Sequence, residues 1–286
     1  MADVVARIAT DLKEALQEQT LSLPSLPEVA LRVREEAESP NVSAVSLGTV
    51  IKSDPGLAAQ LVRTANSPLF RAVNTIDDIG QAISRVGVEY AANVVVGLSM
   101  REMFQATSDM IDRNLRQVWH NSCRIASLSS VICRTYTPLR ADQATLAGLT
   151  HAIGVLPILD WVEEFGVIRD SMTLETVITK VHPVIGRQIL RHWEFSDEIS
   201  KVPAQYQSID REVTEADYVD VVCAANLLHS CEFGTAVDAL EKSLPQFEGD
   251  WTNANCFQRL GITLDPDNEK LLAVVAEADS VNSSLN

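Results

Sequence analysis

Apolar residues recur along this chain at intervals of three and four, and no stretch alternates apolar with polar in the period of two that a half-buried strand needs. The segment TIDDIGQAISRVG puts Ile76, Ile79, Ile83 and Val86 on one stripe, with Gly87 placed as a C-terminal stop. MADVVARIATDLKEALQEQ spaces Val4, Ile8, Leu12 and Leu16 by four with charges between them, which predicts an amphipathic helix and not a signal peptide. In IKSDPGLAAQLVRTANSPLF, Asp54 stands as N-cap before Pro55 at the first helical position, and Asn66, Ser67 and Pro68 end the helix. Only 12 glycines and 11 prolines interrupt 286 residues. The pattern therefore predicts an all-α protein of helices joined by short loops.

The rest of the chain extends that reading. Pro24 to Pro27 forms an extended entry to a helix whose apolar face is Val29, Val33 and Ala37, closed by Pro40. Further helices are expected at about 88–104, 115–135, 141–164 and 214–231, and HPVIGRQILRHW, residues 182–193, supplies another start signal. From 236 the tail reads as a short helix, the loop GDWTNAN and a last helix near 267–278, with SVNSSLN expected to fray. Polarity rises through SDMIDRN, residues 108–114, which places a boundary between two lobes near residue 110. A chain this long suits one large helical unit or two packed lobes, with a core sizeable enough to need no disulfide or metal.

Charge and cysteine usage exclude several function classes. The net charge is −16 and the acidic residues are spread along the chain, so the surface repels polyanions and no nucleic-acid partner is expected. The five cysteines, at 123, 133, 223, 231 and 256, contain no C-x-x-C pair and read as reduced, mostly buried thiols. No run reaches the apolar length of a bilayer span, so no membrane partner is expected and the protein is placed in the cytoplasm. Homodimerisation through an apolar helix stays open, because one chain does not distinguish a core stripe from an interface stripe.

Candidate chemistry rests on five histidines, His120, His151, His182, His192 and His229. Neutral imidazoles converging from separate helices are how helical bundles hold metals, although spacing alone does not bring these together. His192 and His229 read as ordinary hydrogen-bonded or partly exposed side chains. There is no G-x-x-x-x-G-K-[ST] loop, no G-x-S-x-G elbow and no H-E-x-x-H helix, and nothing nominates a nucleophile. Trp119, Trp161, Trp193 and Trp251 are assigned to packing, and Asp54 and Asn66 to helix ends.

The order of phrases LPSLPEVALRV, IKSDPGLAAQLVRTANSPLF, TIDDIGQAISRVGVEYAANVVVGLSMREMF, WHNSCRIASLSSVI, LAGLTHAIGVL and KVHPVIGRQIL strongly resembles the HDOD family, a bacterial signalling module related to HD-domain metal-dependent phosphohydrolases. The likeness covers approximately residues 20–265. It implies an N-terminal helical lobe, 20–109, packed on an HD-domain-like helical bundle, 110–265, flanked by a helix at 1–19 and a helix and tail at 266–286. It also implies a role in signal transduction through protein partners, without catalysis. In the residue-by-residue carry-over, His120 matches the first metal histidine of HD enzymes and His151 the histidine of the doublet, but Ala152 stands where the doublet has Asp. His182 sits where some two-metal relatives keep a histidine, and Asn226 falls where the terminal ligand is Asp. A carboxylate beside a histidine can bridge two cations, and neither a methyl group nor an amide replaces its anionic oxygens.

The four positions His120, His151, His182 and Asn226 thus form a vestigial pocket in which no catalytic residue, metal or cofactor is expected. Three imidazoles and water leave room for one weakly held divalent metal. Two further readings accompany the adaptor reading: a residual metal-dependent phosphohydrolase acting on a nucleotide or phosphodiester, and a small-ligand sensor using the old pocket. No receiver, GAF, EAL or GGDEF-like segment accompanies the module, so its input and output are expected from separate chains.

Overall fold

Short side chains placed before apolar runs set where the helices begin. Asp54 accepts from the Leu57 amide at 3.0 Å, Asp78 from Gln81 at 3.0 Å, Asp170 from Thr173 at 2.8 Å, and Ser43 forms a capping box with Ser46. The computed structural model describes residues 2–70, 74–106, 108–166, 168, 170–235, 239–242, 244, 247 and 249–285. Its helices are α1 (Ala2–Gln17), α2 (Glu28–Ala37), α3 (Ala44–Ile51), α4 (Pro55–Ala65), α5 (Ile79–Val86), α6 (Val88–Ser99), α7 (Asp109–Tyr136) and α8 (Ala141–Thr150). They continue with α9 (Val155–Phe165), α10 (Ser171–His192), α11 (Asp197–Ser200), α12 (Val202–Gln205), α13 (Tyr218–Ser230), α14 (Asn255–Leu260) and α15 (Glu269–Leu285). No strand occurs among the described residues, and the fold is all-α, an N-terminal helical lobe on an HD-domain-like bundle.

The 28-residue α7 is the spine of the bundle, with α8, α13 and α15 packed along it. Helix α6 bridges the halves, resting on α2 on one side and α8 on the other, while α1 lies against α10. One apolar cluster runs without a break from Val5 to Leu285. Gly87 takes φ +92°, a conformation open to glycine, and turns α5 directly into α6. Asn66 does more than end α4. Its amide group donates to the Ile76 carbonyl at 2.7 Å and its carbonyl accepts from the Ile76 N–H at 2.9 Å, tying the chain before α5 back onto α4.

Several elements differ from their sequence expectation. In α1 the inward face is Val5, Ile8, Ala9 and Leu12, and Val4 is 49% exposed. Residues spaced strictly by four drift around a 3.6-residue helix, so a four-residue stripe cannot keep one face. Ile76 precedes α5, because Asp78 is the cap, and packs with Ala65 and Ala82. The helix after Gly87 ends at Ser99 and tightens into a 3₁₀ turn at Met100–Met103. Helix α7 starts at Asp109, six residues early, its polar first turns being a solvent face where Asp112 pairs with Arg116 at 2.7 Å. The 214–231 helix begins at Tyr218, capped by Asp217.

His182 does not start a helix. Helix α10 is already nucleated at Asp170, and burial of Val177, Val181, Ile185 and Ile189 carries it through Pro183 at the loss of one backbone bond. The terminal residues do not fray through 285, since α15 buries Ala278, Val281 and Leu285, and the Leu285 carbonyl accepts from the buried Gln60 amide. The short helix expected from 236 begins on residues outside the described set, and Ala239–Glu241 form a single 3₁₀ turn. The stretch Ala141–Phe165 does reach the length and apolarity of a membrane span, but it is nearly all buried inside the protein, so its apolarity is that of a core element packed on every side.

That stretch is also interrupted. Residues His151–Gly154 form a turn between α8 and α9 instead of one continuous helix. A Cβ at Gly154 would stand 2.1 Å from the His182 carbonyl oxygen and 2.5 Å from the Gly186 nitrogen. Replacing Gly154 by alanine must push α10 away, and it is expected to lower stability by about 3 kcal/mol, read as the urea unfolding midpoint of the variant against the parent.

Candidate functional site

The turn at the end of α8 determines how His151 is presented. As C-cap residue it folds its ring back on its own helix, with Nδ1 2.7 Å from the Gly148 carbonyl oxygen. That contact requires Nδ1–H, so a neutral ring keeps its lone pair on Nε2. His182 enters from α10, equally buried, and places Nε2 3.2 Å from the Tyr206 hydroxyl, while its Nδ1 has no hydrogen-bond partner. Tyr206, at the end of α12, packs against both rings. Its centroid lies 5.0 Å from His151 at 87° and 5.9 Å from His182 at 46°, and its hydroxyl accepts from the Gln207 amide at 3.1 Å.

Burial governs the protonation of this group. Desolvation pushes His151 down to about 4, against the opposing bond to the Gly148 carbonyl, and His229 adds to the depression. Desolvation and then the neighbouring His151 take His182 down to about 3. His229 falls to about 4 through desolvation, then Arg124 and His120. Burial raises the Tyr206 hydroxyl well above its usual range. At neutral pH the buried rings and the phenol are all uncharged.

The four positions predicted as a vestigial pocket are therefore brought together only in part. His151 and His182 share Tyr206. His120, on α7, is exposed, and Asn226, on α13, is half-buried. His229, read from sequence as an ordinary side chain, faces both His151 and His120, whereas His192 lies exposed at the end of α10. Ala152 sits buried in the turn after His151. Among the described residues no three His, Cys, Asp or Glu side chains are disposed to hold a metal ion. The donor set does not fit one, since no carboxylate stands beside His151, and the Nε2 of His182 is engaged by the Tyr206 hydroxyl.

Sequence reading missed Tyr206 and the network that holds it. Asp220, 1% exposed, accepts from Arg259 through both oxygens, at 2.9 and 2.6 Å, and from Arg211 at 3.4 Å. Asp217 pairs with Arg211 at 2.7 Å and Lys201 at 2.8 Å. Burial would raise the Asp217 carboxyl, and the bonds from Arg211 and Lys201 override it and hold the group below its usual range. Arg259 also donates to the Arg211 carbonyl at 2.7 Å, and the Asn255 amide to the Ile209 carbonyl at 2.8 Å. Segment 206–217 is thus pinned to α13 and α14, with Tyr206 at one end. Beyond Gln207 opens a groove of about 830 Å³ lined by Met172, Glu175, Thr179, Lys180 and Asp210.

Comparison with known proteins agrees with this architecture. The sequence profile of the HDOD domain matches residues 23–209. A protein of Shewanella amazonensis SB2B, named as a candidate metal-dependent phosphohydrolase, superposes with a TM-score of 0.86 at 24% identity, covering 99% of this chain and 100% of its own. An HDOD domain protein of unknown function from Geobacter sulfurreducens gives 0.63 at 19% identity over 100% and 98% of the two chains. A candidate signal transduction protein from Marinobacter aquaeolei VT8 gives 0.62 at 22% identity over 98% and 66%. An uncharacterized protein of Treponema pallidum (strain Nichols) is 22% identical over 205 residues, 66% of this chain, and the chain spans 38% of the length of that curated relative.

The buried imidazoles give stability a defined pH dependence. An unfolded histidine takes a proton near 6.5, whereas folded His151 and His182 refuse one until about 4 and 3. Across that interval the unfolded state binds more protons, so stability is complete above pH 6.5 and falls as pH drops toward 4. The expected slope is on the order of 1 kcal/mol per pH unit for each imidazole. Urea midpoints at pH of about 7 and about 5 check it, and His182→Gln should show a shallower slope than the parent.

Proposed function

The chain belongs to the HDOD family, and from that premise we propose that it works as a non-catalytic signal-transduction module acting through protein partners. The observation that carries the reading is the pair His151 and His182 packed on Tyr206, with Ala152 in place of a bridging carboxylate. A two-metal hydrolase lowers the pKa of a bound water and clamps phosphate with its cations, and both effects require the ligand that Ala152 lacks. The hydrolase reading attached to the Shewanella amazonensis neighbour's name therefore finds no support in this donor set.

What the residues offer instead is a means of passing position between the lobes. Arg34, on α2, donates to the Trp193 carbonyl at 2.7 Å, at the C-terminal end of α10 where a cation meets the helix dipole, and lies 4.9 Å over the Phe195 ring. The Trp193 indole donates to the Pro24 carbonyl at 2.9 Å. Beside this latch an interlobe groove of about 310 Å³ runs along Glu38, Glu89, Asn93, Arg140 and Glu194. A partner seated there would touch α2, α6 and the end of α10 together, and α10 carries His182.

The test is metal content by inductively coupled plasma mass spectrometry after incubation with manganese, iron and zinc, joined to hydrolysis of bis(p-nitrophenyl) phosphate. We expect substoichiometric metal and no turnover. Near-stoichiometric metal that disappears in His151→Ala, with hydrolysis above the buffer rate, would overturn the non-catalytic reading. The Ala152→Asp, Asn226→Asp double variant should still hold no near-stoichiometric metal, because Tyr206 packs against both imidazoles; metal gained by that variant would show an open pocket.

A further inference from the structure

Cys223 and Cys256 are free thiols, 2% and 1% exposed, and neighbour one another across the packed helices α13 and α14. Their helices are in register through a second, independent pair, the bidentate bond between Asp220 and Arg259. One turn forward along α13 from Asp220 reaches Cys223. One turn back along α14 from Arg259 reaches Cys256. The two helices thus run antiparallel here, joined by two successive side-chain pairs, one ionic and one between thiols. The other three cysteines lack such a neighbour: Cys123 contacts the Leu285 carbonyl, Cys133 the Thr137 hydroxyl and Cys231 the Leu228 carbonyl.

We propose that Cys223 and Cys256 are a modification site, a dithiol that peroxide-class oxidants close into a disulfide stapling α13 to α14. The chemistry is a two-electron oxidation. One thiolate attacks a peroxide oxygen and breaks the O–O bond, giving a sulfenic acid and water. The second thiol then attacks that sulfur and expels its hydroxyl as a second water. The pair loses two electrons and two protons, and hydrogen peroxide accepts both.

Access to the site is controlled by the fold. The neighbouring Cys256, with burial, raises the Cys223 thiol and keeps it protonated, so reaction waits on local opening. Helix α14 is six residues long, ends at Gly261 and is anchored by Arg259 on Asp220, so exposure of the pair requires lifting it from α13.

The experiment treats the full chain with hydrogen peroxide, then alkylates it in denaturant and maps peptides without reductant. The expected result is one cross-linked pair of peptides joining Cys223 to Cys256 at a mass loss of about 2 Da, with Cys123, Cys133 and Cys231 alkylated. The oxidised chain should melt several degrees above the reduced one, since the bridge closes a long loop. Cys256→Ser should show no such rise and should instead yield a dimedone adduct at Cys223. Full alkylation of Cys223 and Cys256 after exposure that consumes a free model thiol would overturn the proposal, as would separate sulfinic acids at the two positions.

Discussion

The backbone of Gly154 approaches α10 so closely that no side chain fits between them, and the arrangement of the whole bundle centre follows from that contact. The chain leaves α8 after Thr150, turns through four residues against the His182 and Gly186 backbone, and sets off again as α9. Helix α8 is itself sunk against α7, where a Cβ at Gly148 would meet the Ala126 backbone at 2.4 Å. With α7 on one side and α10 on the other, His151 has little freedom. Its ring takes the Gly148 carbonyl as partner and faces Tyr206.

Placing imidazoles in such a site imposes a choice between charge and burial. A cation in a dry interior needs a partner, and none of the carboxylates at hand is free to serve: Asp220 and Asp217 are spent on Arg211, Arg259 and Lys201. The histidines therefore stay neutral and pack as aromatic rings. Buried charge is concentrated instead on α13, α14 and segment 206–217, where three cations offset two carboxylates. Breaking such a cluster from one side leaves an unpaired buried charge, so its hold on Tyr206 is stiff.

Two local signals were read from the sequence: Asp54 caps α4 within three residues and Gly87 stops α5 through its own φ. Asp78 and Asp170 act as locally and were passed over, so α5 was begun early and α10 late. The break at His151–Gly154 could not be read that way, because LAGLTHAIGVL is apolar throughout and the turn is enforced by α10, some thirty residues downstream. Pro183 misled for the opposite reason: its local preference is real and tertiary burial overrides it. Within the site, His151 and His182 were legible through phrases resembling the HDOD family. Tyr206, His229 and the Asp220–Arg259 pair were not, since each acquires its role only from contacts between distant segments, and none stands in a distinctive phrase.

In a metal-centred bundle the helices are joined by coordination, and losing the metal loosens all of them together. Here the same helices are joined by contacts of two different kinds. The histidines meet through a neutral aromatic ring, and the segment that begins with it is held by a buried ionic network of Asp217, Asp220, Arg211, Arg259 and Lys201. Segment 206–217 begins with Tyr206, so the placement of that segment and the ring contacts to His151 and His182 are set together. The proposed signalling role asks for this combination, a rigid frame with one segment whose position the frame can register. A bridging carboxylate at position 152 would defeat it, because the anion would stand buried beside neutral rings with no cation to offset it.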